Sequence, residues 1–407
     1  MMEKSLIERL TGEYGCPLYV FDKAGLVSDF NQLQKAFRSY YPKYRIAYSY
    51  KTNYAPRICS IVRELGGLAE VVSDMELTIA RKVGYPDGEI LYNGPTKGPL
   101  MEDFLLKGGI VNIDNPAEAL RVVDCANAHP ESVLQVGIRV NMDVGQPFVS
   151  RFGMEAYTEE FDTVVKCLRE TPNIRLIGLH CHIGRSRGVE AWKARAEYML
   201  GVADRYFECP PAFIDLGSGM FGNMEESLAR QFGDDIPTFE DYAQVVAGEF
   251  ARHYVHLPET EKPWLLTEPG TTLISAHISV IARVTGIKRL RGKDFANLDC
   301  CLYNVGEMCR IKNMPLQVVP GGGERRHYES IALSGYTCLE YDVIHPSYSG
   351  ELGVGDYVVV GNCGGYSNVS KPPFIAPNCA MVEWDGSRST LFKRAETPDD
   401  VLSTYIF

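Results

Sequence analysis

The chain has 407 residues, of which 45% are hydrophobic, and it carries a net charge of −11 at pH 7. This length predicts two domains, because single hydrophobic cores stop growing at roughly 250–300 residues. The acidic balance disfavours nucleic acid and anionic membranes as partners, since both attract clustered Lys and Arg, so a small-molecule ligand is expected. The twelve cysteines are scattered and the opening MMEKSLIERL has no apolar secretory core, which predicts free thiols, a cytoplasmic location and no membrane span.

Eight short apolar segments, each ending in polar or glycine-rich residues, are predicted as strands. They are Tyr44–Lys51, Gly67–Ser73, Glu89–Pro95, Gly109–Asn115, Leu134–Asn141, Ile174–Gly184, Pro211–Met220 and Trp264–Leu273. The stretches between them, such as APRICSIVRELG and SDMELTIARKVG, carry apolar residues at the three- and four-residue spacing of helices. This alternation predicts an α/β fold, a parallel (β/α)8 TIM-like barrel over residues 25–277.

The pattern changes near residue 278. Segments such as HISVIARVTGI, ESIALSG, DYVVVGN and CAMVEWDG favour strands without intervening helices. We therefore expect a second, antiparallel β domain over residues 278–407. The early segment PLYVFD is predicted to join it, which assigns residues 1–24 to the same domain.

Several of the predicted barrel strands end in chemically reactive groups. The first ends at Lys51, the second carries Glu70, and later ends are His180-Cys181-His182, Asp215-Leu216-Gly217-Ser218-Gly219 and Glu268-Pro269-Gly270. In a barrel the carboxyl ends of the strands meet over one mouth, so these groups are expected to lie close together.

Each group also has an ordinary structural explanation. A lysine after a strand is usually a solvated loop charge, and glycine turns after strands are common. The His-Cys-His segment places two imidazoles on one face of a strand, but no third ligand is identifiable, so a metal site is not expected.

Taken together, the groups suit an aldehyde cofactor with a phosphate arm. An amine forms a Schiff base, glycine turns offer N–H groups to a phosphate, an imidazole stacks on a flat ring, and a carboxylate keeps a pyridine nitrogen protonated. A protonated ring is a strong electron sink. The pattern therefore favours decarboxylation of an amino acid with pyridoxal phosphate.

With these residues in place, the sequence resembles the fold-type III pyridoxal-phosphate decarboxylases, which include diaminopimelate and ornithine decarboxylases. The resemblance runs over nearly the whole chain, and alanine racemase shares the same plan of a barrel and a β domain. The matching segments are PLYVFD, YSYKTN, EVVSDMEL, LYNGPTK, RVN, SRFG, GLHCHIG, IDLGSG, TEPG, the Cys338 loop and GGYSN.

The resemblance implies roles for individual residues. Lys51 is similar to the Schiff-base lysine, His182 to the imidazole stacked on the cofactor, and Glu268 to the partner of the pyridine nitrogen. Further cofactor contacts are implied for Glu70, near the lysine, and for Gly217, Ser218, Gly219, Gly270 and Tyr366, at the phosphate.

The resemblance also implies a homodimer with shared active sites. Cys338, in GYTCLEYD, is similar to a cysteine that crosses the dimer interface and reprotonates the reacting carbon. Arg310 resembles an arginine that binds the substrate carboxylate.

Three positions depart from the family pattern. Arg185 stands where the family has a serine near the phosphate, Thr271 stands where diaminopimelate decarboxylases have a substrate-binding arginine, and Leu339 replaces an acidic residue that faces the distal amine. Glu340 and Asp342 remain nearby as partners for a cation. The preferred substrate is therefore predicted to be neither diaminopimelate nor ornithine, but a larger, less basic or conjugated amino acid of a specialised biosynthetic pathway.

Three alternatives remain open. The chain could be a diaminopimelate decarboxylase after all, an amino-acid racemase, or a non-catalytic homologue that binds a regulatory protein. Glu268 argues against the racemase, which keeps the pyridine nitrogen unprotonated with an arginine. Lys51 and Cys338 argue against the non-catalytic homologue, which would be expected to lose one of them.

Overall fold

A computed structural model describes residues 2–145, 148–233 and 235–406. The chain divides into two compact units. The barrel unit comprises Asp29–Phe221 and Pro237–Thr272, and the β unit comprises Met1–Ser28, Gly222–Ile236 and Leu273–Phe407.

Numbered along the chain, the strands are β1 (Leu18–Asp22), β2 (Tyr44–Ser49), β3 (Leu68–Val71), β4 (Ile90–Tyr92), β5 (Ile110–Ile113), β6 (Leu134–Asn141), β7 (Met154–Glu155), β8 (Ile174–His180), β9 (Phe213–Asp215), β10 (Trp264–Thr267), β11 (Ile278–Leu290), β12 (Lys293–Leu298), β13 (Leu316–Val319), β14 (Arg325–Ser334), β15 (Val343–Gly353), β16 (Tyr357–Val360), β17 (Ala380–Trp384) and β18 (Ser389–Lys393). The α-helices are α1 (Lys4–Tyr14), α2 (Lys23–Tyr40), α3 (Pro56–Glu64), α4 (Asp74–Val83), α5 (Leu100–Leu106), α6 (Pro116–Ala128), α7 (Glu159–Glu170), α8 (Val189–Tyr206), α9 (Glu226–Ala229), α10 (Phe239–His253), α11 (Thr271–Ile274), α12 (Leu302–Val305) and α13 (Pro398–Leu402). Within the described segments, no helix combines the length and the apolar character that crossing a membrane requires.

Eight parallel strands close into a barrel in the order β2, β3, β4, β5, β6, β8, β9 and β10, and β10 pairs again with β2. The predicted barrel is therefore confirmed, and each of the eight predicted segments contains one of its strands. Most strands end before the predicted segments do, because their polar carboxyl ends leave the sheet and form loops. Part of the barrel core is formed by Ala47, Leu68, Leu91, Phe213 and Leu266, which pack against one another.

Local signals explain where the barrel helices begin and end. The Ser73 side chain accepts a hydrogen bond from the Glu76 N–H and so caps α4, and Gly84 ends the helix in a left-handed conformation with φ of +99°. In α10, Thr238 and Asp241 form a reciprocal capping box. These caps fix the loops that connect each helix to its strand.

The β unit is built around one mixed sheet with the order β15, β14, β12, β11, β1, β17 and β18, while β16 pairs with β11 and β13. The predicted antiparallel character is confirmed for most pairs, but β1 pairs with β17, and β12 with β14, in parallel. Strand β1, which contains most of PLYVFD, lies between β11 and β17 in this sheet. The hydrophobic core of the β unit includes Leu18, Val20, Ile281, Val359 and Val382.

Candidate active site

Lys51 and Glu70 form an ion pair at the carboxyl ends of β2 and β3. Lys51 lies in a single 3-10 turn, Tyr50–Thr52, directly after β2. Its Nζ donates to Glu70 Oε2 at 2.6 Å, and Ser49 Oγ donates to the same oxygen at 2.7 Å. The Lys51 side chain is 25% exposed whereas that of Glu70 is 1% exposed. The Lys51 side chain is therefore partly exposed, and a buried carboxylate orients its amine.

Both histidines of the β8 end face Glu268, which follows β10. The distance from His180 Nε2 to Glu268 Oε1 is 3.1 Å, and that from His182 Nδ1 to Glu268 Oε2 is 3.3 Å. Burial lowers the pKa of the His182 imidazole to about 4, which keeps the ring neutral. Burial alone would raise the pKa of Glu268, but His180, His182 and Lys51 together hold it well below its usual range. Glu268 is thus an ionised carboxylate in a buried site.

Asp215, at the end of β9, is the second carboxylate of this cluster. Burial and the Glu268 charge raise its pKa well above the usual range, so it is a neutral acid beside an ionised one. Ligand atoms of His180, Asp215 and Glu268 all lie within 4.8 Å of one another. This cluster joins one histidine of the His-Cys-His segment to two carboxylates, but all three side chains are buried and Glu268 already accepts a hydrogen bond from Asn93.

Glu268 is linked to two asparagines that the sequence interpretation did not include. Asn93 Nδ2 donates to Glu268 Oε1, and Asn112 Nδ2 donates to Asn93 Oδ1 at 2.6 Å. Arg139 Nη1 donates to the Asn93 carbonyl at 3.2 Å and also contacts Asp114 at 3.1 Å. Asn93 lies inside the motif LYNGPTK, so the motif was visible, but an uncharged residue gave no sign of this contact.

The glycine turns after β8 and β9 pack directly against each other. Gly217 and Gly219 have φ of +63° and +109°, which favours glycine. A Cβ at Gly217 would lie 2.4 Å from the Cys181 carbonyl oxygen, and one at Gly219 would lie 2.4 Å from that of Ile183. Gly270, after β10, is similarly confined, because a Cβ there would lie 2.0 Å from Thr52 Oγ1. Side chains are thus excluded where backbone groups of three strand ends come together.

Arg195, a buried arginine of α8, also contacts these turns and was missed in the sequence. Its helix carries apolar residues at the neighbouring buried positions Trp192, Ala196 and Met199. An arginine within such a stripe was the available signal. Arg185, which follows Gly184 in the chain, is exposed, and its guanidinium carbon lies 5.4 Å from the Phe148 ring centroid. Thr271 is half-buried at the start of α11.

The remaining predicted residues belong to the β unit. Cys338 and Glu340 are exposed and Leu339 is half-buried in the loop between β14 and β15. Tyr366 is 41% exposed, with φ of +54°. The Arg310 guanidinium, which is exposed, lies 5.3 Å from the Tyr341 ring centroid.

Asp342 is buried beneath the Cys338 loop. Its Oδ1 accepts from the Leu302 N–H at 2.7 Å, and its Oδ2 accepts from the Thr337 N–H at 3.0 Å and hydroxyl at 2.7 Å. These bonds shape the loop that carries Cys338. Among the predicted residues, Lys51, Glu70, His182, Glu268 and the glycines are therefore gathered within the barrel unit, while Cys338 and its neighbours form a second group.

Comparison with known proteins identifies the family. Residues 27–275 match the family described as pyridoxal-dependent decarboxylase, pyridoxal binding domain. The chain is similar to diaminopimelate decarboxylase from Methanothermobacter thermautotrophicus, with 26% identity over 421 residues that cover 97% of this chain and 92% of that protein. It is also similar to the L-glutamyl-(BtrI acyl-carrier protein) decarboxylase of Niallia circulans, with 24% identity over 436 residues that cover 100% of this chain and 97% of that protein.

The fold has counterparts among solved structures. The crystal structure of diaminopimelate decarboxylase from Methanocaldococcus jannaschii in complex with L-lysine superposes with a TM-score of 0.85 at 21% identity, covering 99% of this chain and 94% of the other. The family match spans most of the barrel unit, including the strand ends that carry the cluster around Lys51. The chain therefore belongs to the pyridoxal-dependent decarboxylases, enzymes that use pyridoxal phosphate to decarboxylate amino acids.

Proposed function

We propose that this enzyme decarboxylates an amino acid that lacks a free ammonium group at its far end, with pyridoxal phosphate held on Lys51. The observation that carries the cofactor assignment is the partly exposed Lys51 side chain, whose amine donates to buried Glu70. The substrate assignment is supported by Leu339 and Thr271, which offer neither a negative nor a positive charge to a substrate.

The residues of the barrel mouth fit this cofactor. The amine suits the aldehyde of the cofactor, and the neutral imidazole suits the face of its ring. The ionised carboxylate suits the ring nitrogen, and the glycine turns, which lack side chains, suit the phosphate. When bound, the cofactor supplies an electron sink for the electron pair left as carbon dioxide departs.

The chain's own residues then hold groups and protons in place. Ionised Glu268 can hold a proton on the ring nitrogen by a charge-assisted hydrogen bond, and this is why we favour decarboxylation over racemisation. Neutral His182 can lie against the ring face without adding charge. Glu70 orients the Lys51 amine. We assign reprotonation of the reacting carbon to the Cys338 thiol, which is exposed.

The surroundings of Cys338 support a substrate without a distal ammonium. Leu339 lines a surface cavity of about 470 Å³ together with Tyr303, Tyr341, Phe374 and two prolines. An ammonium group placed against such apolar surface would lose hydration without gaining a partner. The Niallia circulans relative, by its name, acts on a glutamyl group carried by a protein, so a conjugated substrate has a precedent among similar enzymes.

Diaminopimelate decarboxylase is the second candidate. It is supported by the relatives of that name and by exposed Glu340, which lies one residue beyond Leu339 and can pair with a cation.

We also propose a cytoplasmic homodimer in which each Cys338 loop completes the site of its partner. The exposed aromatic residues around this loop, Tyr341 at 50% and Phe374 at 38% exposure, are typical of a surface that a second chain covers. All twelve cysteines are free thiols, as a reducing compartment would leave them.

The test is a comparison of kcat/KM, measured as released carbon dioxide, for diaminopimelate, ornithine, lysine, arginine, glutamate and amide-conjugated glutamate. We expect a neutral or conjugated amino acid to be preferred. Efficient turnover of diaminopimelate or ornithine above all others would refute the substrate assignment. Borohydride reduction should fix the cofactor on Lys51 and leave buried Lys97 unlabelled; a peptide map with the label elsewhere would refute the cofactor assignment.

A further inference from the structure

Arg195 is a fully buried arginine whose guanidinium bonds to the backbone of both glycine turns. Its Nη1 donates to the carbonyl oxygens of Leu216, at 2.9 Å, and Ser218, at 3.0 Å, and its Nη2 donates to that of Ile183 at 3.1 Å. The guanidinium carbon lies 4.1 Å from the Trp192 ring centroid. One side chain thus ties the turn after β8 to the turn after β9.

Within the part of the chain that the structure describes, this cation has no carboxylate partner. Among the described residues, no Asp or Glu oxygen forms an ion pair with Arg195, and its Nε has no hydrogen-bond partner. Burial lowers the pKa of Arg195 to about 10, so it remains charged at neutral pH. A buried charge held only by carbonyl dipoles is costly. A buried positive charge of this kind is expected where a negatively charged ligand binds nearby and balances it.

The geometry of the three peptide units indicates where that ligand lies. In a trans peptide the C=O and the N–H point in opposite directions, so carbonyls that face Arg195 turn the N–H groups of Gly184, Gly217 and Gly219 away from it. The Gly217 N–H is used by Asp215 Oδ1 at 2.9 Å. The N–H groups of Gly184 and Gly219 have no acceptor among the described residues.

The two glycines that carry these N–H groups are close together. A Cβ built on Gly219 would lie 3.4 Å from Gly184 Cα, so the two turns touch where both lack side chains. Paired backbone N–H groups with a positive charge behind them are a recurrent way to bind phosphate.

We propose that Arg195 is the positioning residue of the phosphate site. It holds the turns so that the Gly184 and Gly219 N–H groups point to one anion, and it supplies the positive charge on their far side. The inference rests on the proposed cofactor site and names a residue that does not itself touch the cofactor.

The test compares two ligands on cofactor-free full-length protein. Pyridoxal phosphate and pyridoxal both carry the aldehyde that Lys51 captures, but only the first carries phosphate, so the ratio of their Kd values isolates the phosphate contribution. Arg195→Met should lower the preference for pyridoxal phosphate roughly ten- to hundredfold and change the Kd of pyridoxal less than about threefold. Arg195→Lys keeps the charge but not the fork of donors, so its preference for pyridoxal phosphate should lie between those of the wild type and Arg195→Met. Arg205→Met, an exposed arginine of the same helix, is the control.

Inorganic phosphate gives a second readout. It should raise the Tm of the cofactor-free wild type and of Arg205→Met, and raise that of Arg195→Met much less. An unchanged Kd ratio in a folded variant, or an equal loss of affinity for both aldehydes, would overturn the inference. If Arg195→Met fails to fold, the ratio of the two Kd values measured for Arg195→Lys tests the inference instead. A wild type that binds neither aldehyde on Lys51 would instead refute the proposed function.

Discussion

At the carboxyl ends of the barrel strands, Glu268 and Asp215 share one buried cluster in which their pKa values move in opposite directions. Burial and the neighbouring charge keep Asp215 protonated, whereas His180 and His182 help to keep Glu268 ionised against the effect of burial. Two like charges so close together in a low dielectric would repel strongly, so one proton is retained between them. Of the two carboxyl groups, Glu268 is therefore the ionised one and Asp215 the neutral one.

A pair of substitutions tests that division. Glu268→Gln removes a charge, so we expect it to fold and bind cofactor but to lower kcat roughly a hundredfold. Asp215→Asn replaces one neutral group by another and keeps an acceptor for the Gly217 N–H, so it should change kcat less than about tenfold. The measurement is steady-state carbon dioxide release. Equal losses in both variants, or unchanged turnover in Glu268→Gln, would contradict the assignment.

At this scale the sequence revealed the reactive side chains but not the residues that hold them. Lys51, Glu70, His182 and Glu268 lie at or just beyond strand ends and carry reactive groups, so the barrel prediction expected them to lie close together. Asn93 was missed because its contact with Glu268 spans 175 residues of sequence. No local pattern encodes such a contact.

At the scale of elements, the sequence predicted the buried strands better than the exposed ones. The barrel strands are apolar runs flanked by polar ends, and β6 matches its predicted span in full. Strands β15 and β18 were not predicted because β15 contains Pro346 and Gly350, and β18 has no buried residue. Their pairing depends on neighbours in the sheet, which a single segment does not show.

Helix α4 contains a buried carboxyl that makes stability depend on pH. Burial raises the pKa of Glu76 to about 7, above its value in the unfolded chain. Between pH 4.5 and 7 the folded state therefore binds more protons, and stability falls as pH rises through this range, by about 3 kcal/mol at most. Glu76→Gln removes the titration and can still accept from the Val72 N–H.

We expect the fall in Tm from pH 5 to pH 8 to be smaller in Glu76→Gln than in the wild type, measured by thermal unfolding monitored by circular dichroism. Glu190→Gln, at an exposed position of α8, is the control and should show the same fall in Tm from pH 5 to pH 8 as the wild type. The same pH dependence in Glu76→Gln as in the wild type would show that Glu76 does not titrate in this range.

For the whole molecule, the proposed homodimer predicts that two inactive variants complement each other. Lys51→Ala and Cys338→Ala each damage every site, but a mixed dimer contains one site with both groups intact. Random exchange should make half of the dimers mixed, so activity should recover to about a quarter of the wild-type value. The measurement is activity after mixing, with native mass spectrometry to demonstrate exchange. Mixed dimers without activity would contradict shared sites.

The central place of β1 in the β unit has a consequence for how the enzyme is made. Leu18 pairs with Ile281 on one side and with Ala380 on the other, so β1 can pair with its second neighbour only after residue 380 has been made. Until then its apolar residues and unpaired backbone are exposed, which makes the nascent chain vulnerable to aggregation. Contacts so distant in sequence also form slowly. We therefore expect the yield of active enzyme to depend on how well β1 is protected from aggregation until β17 can pair with it.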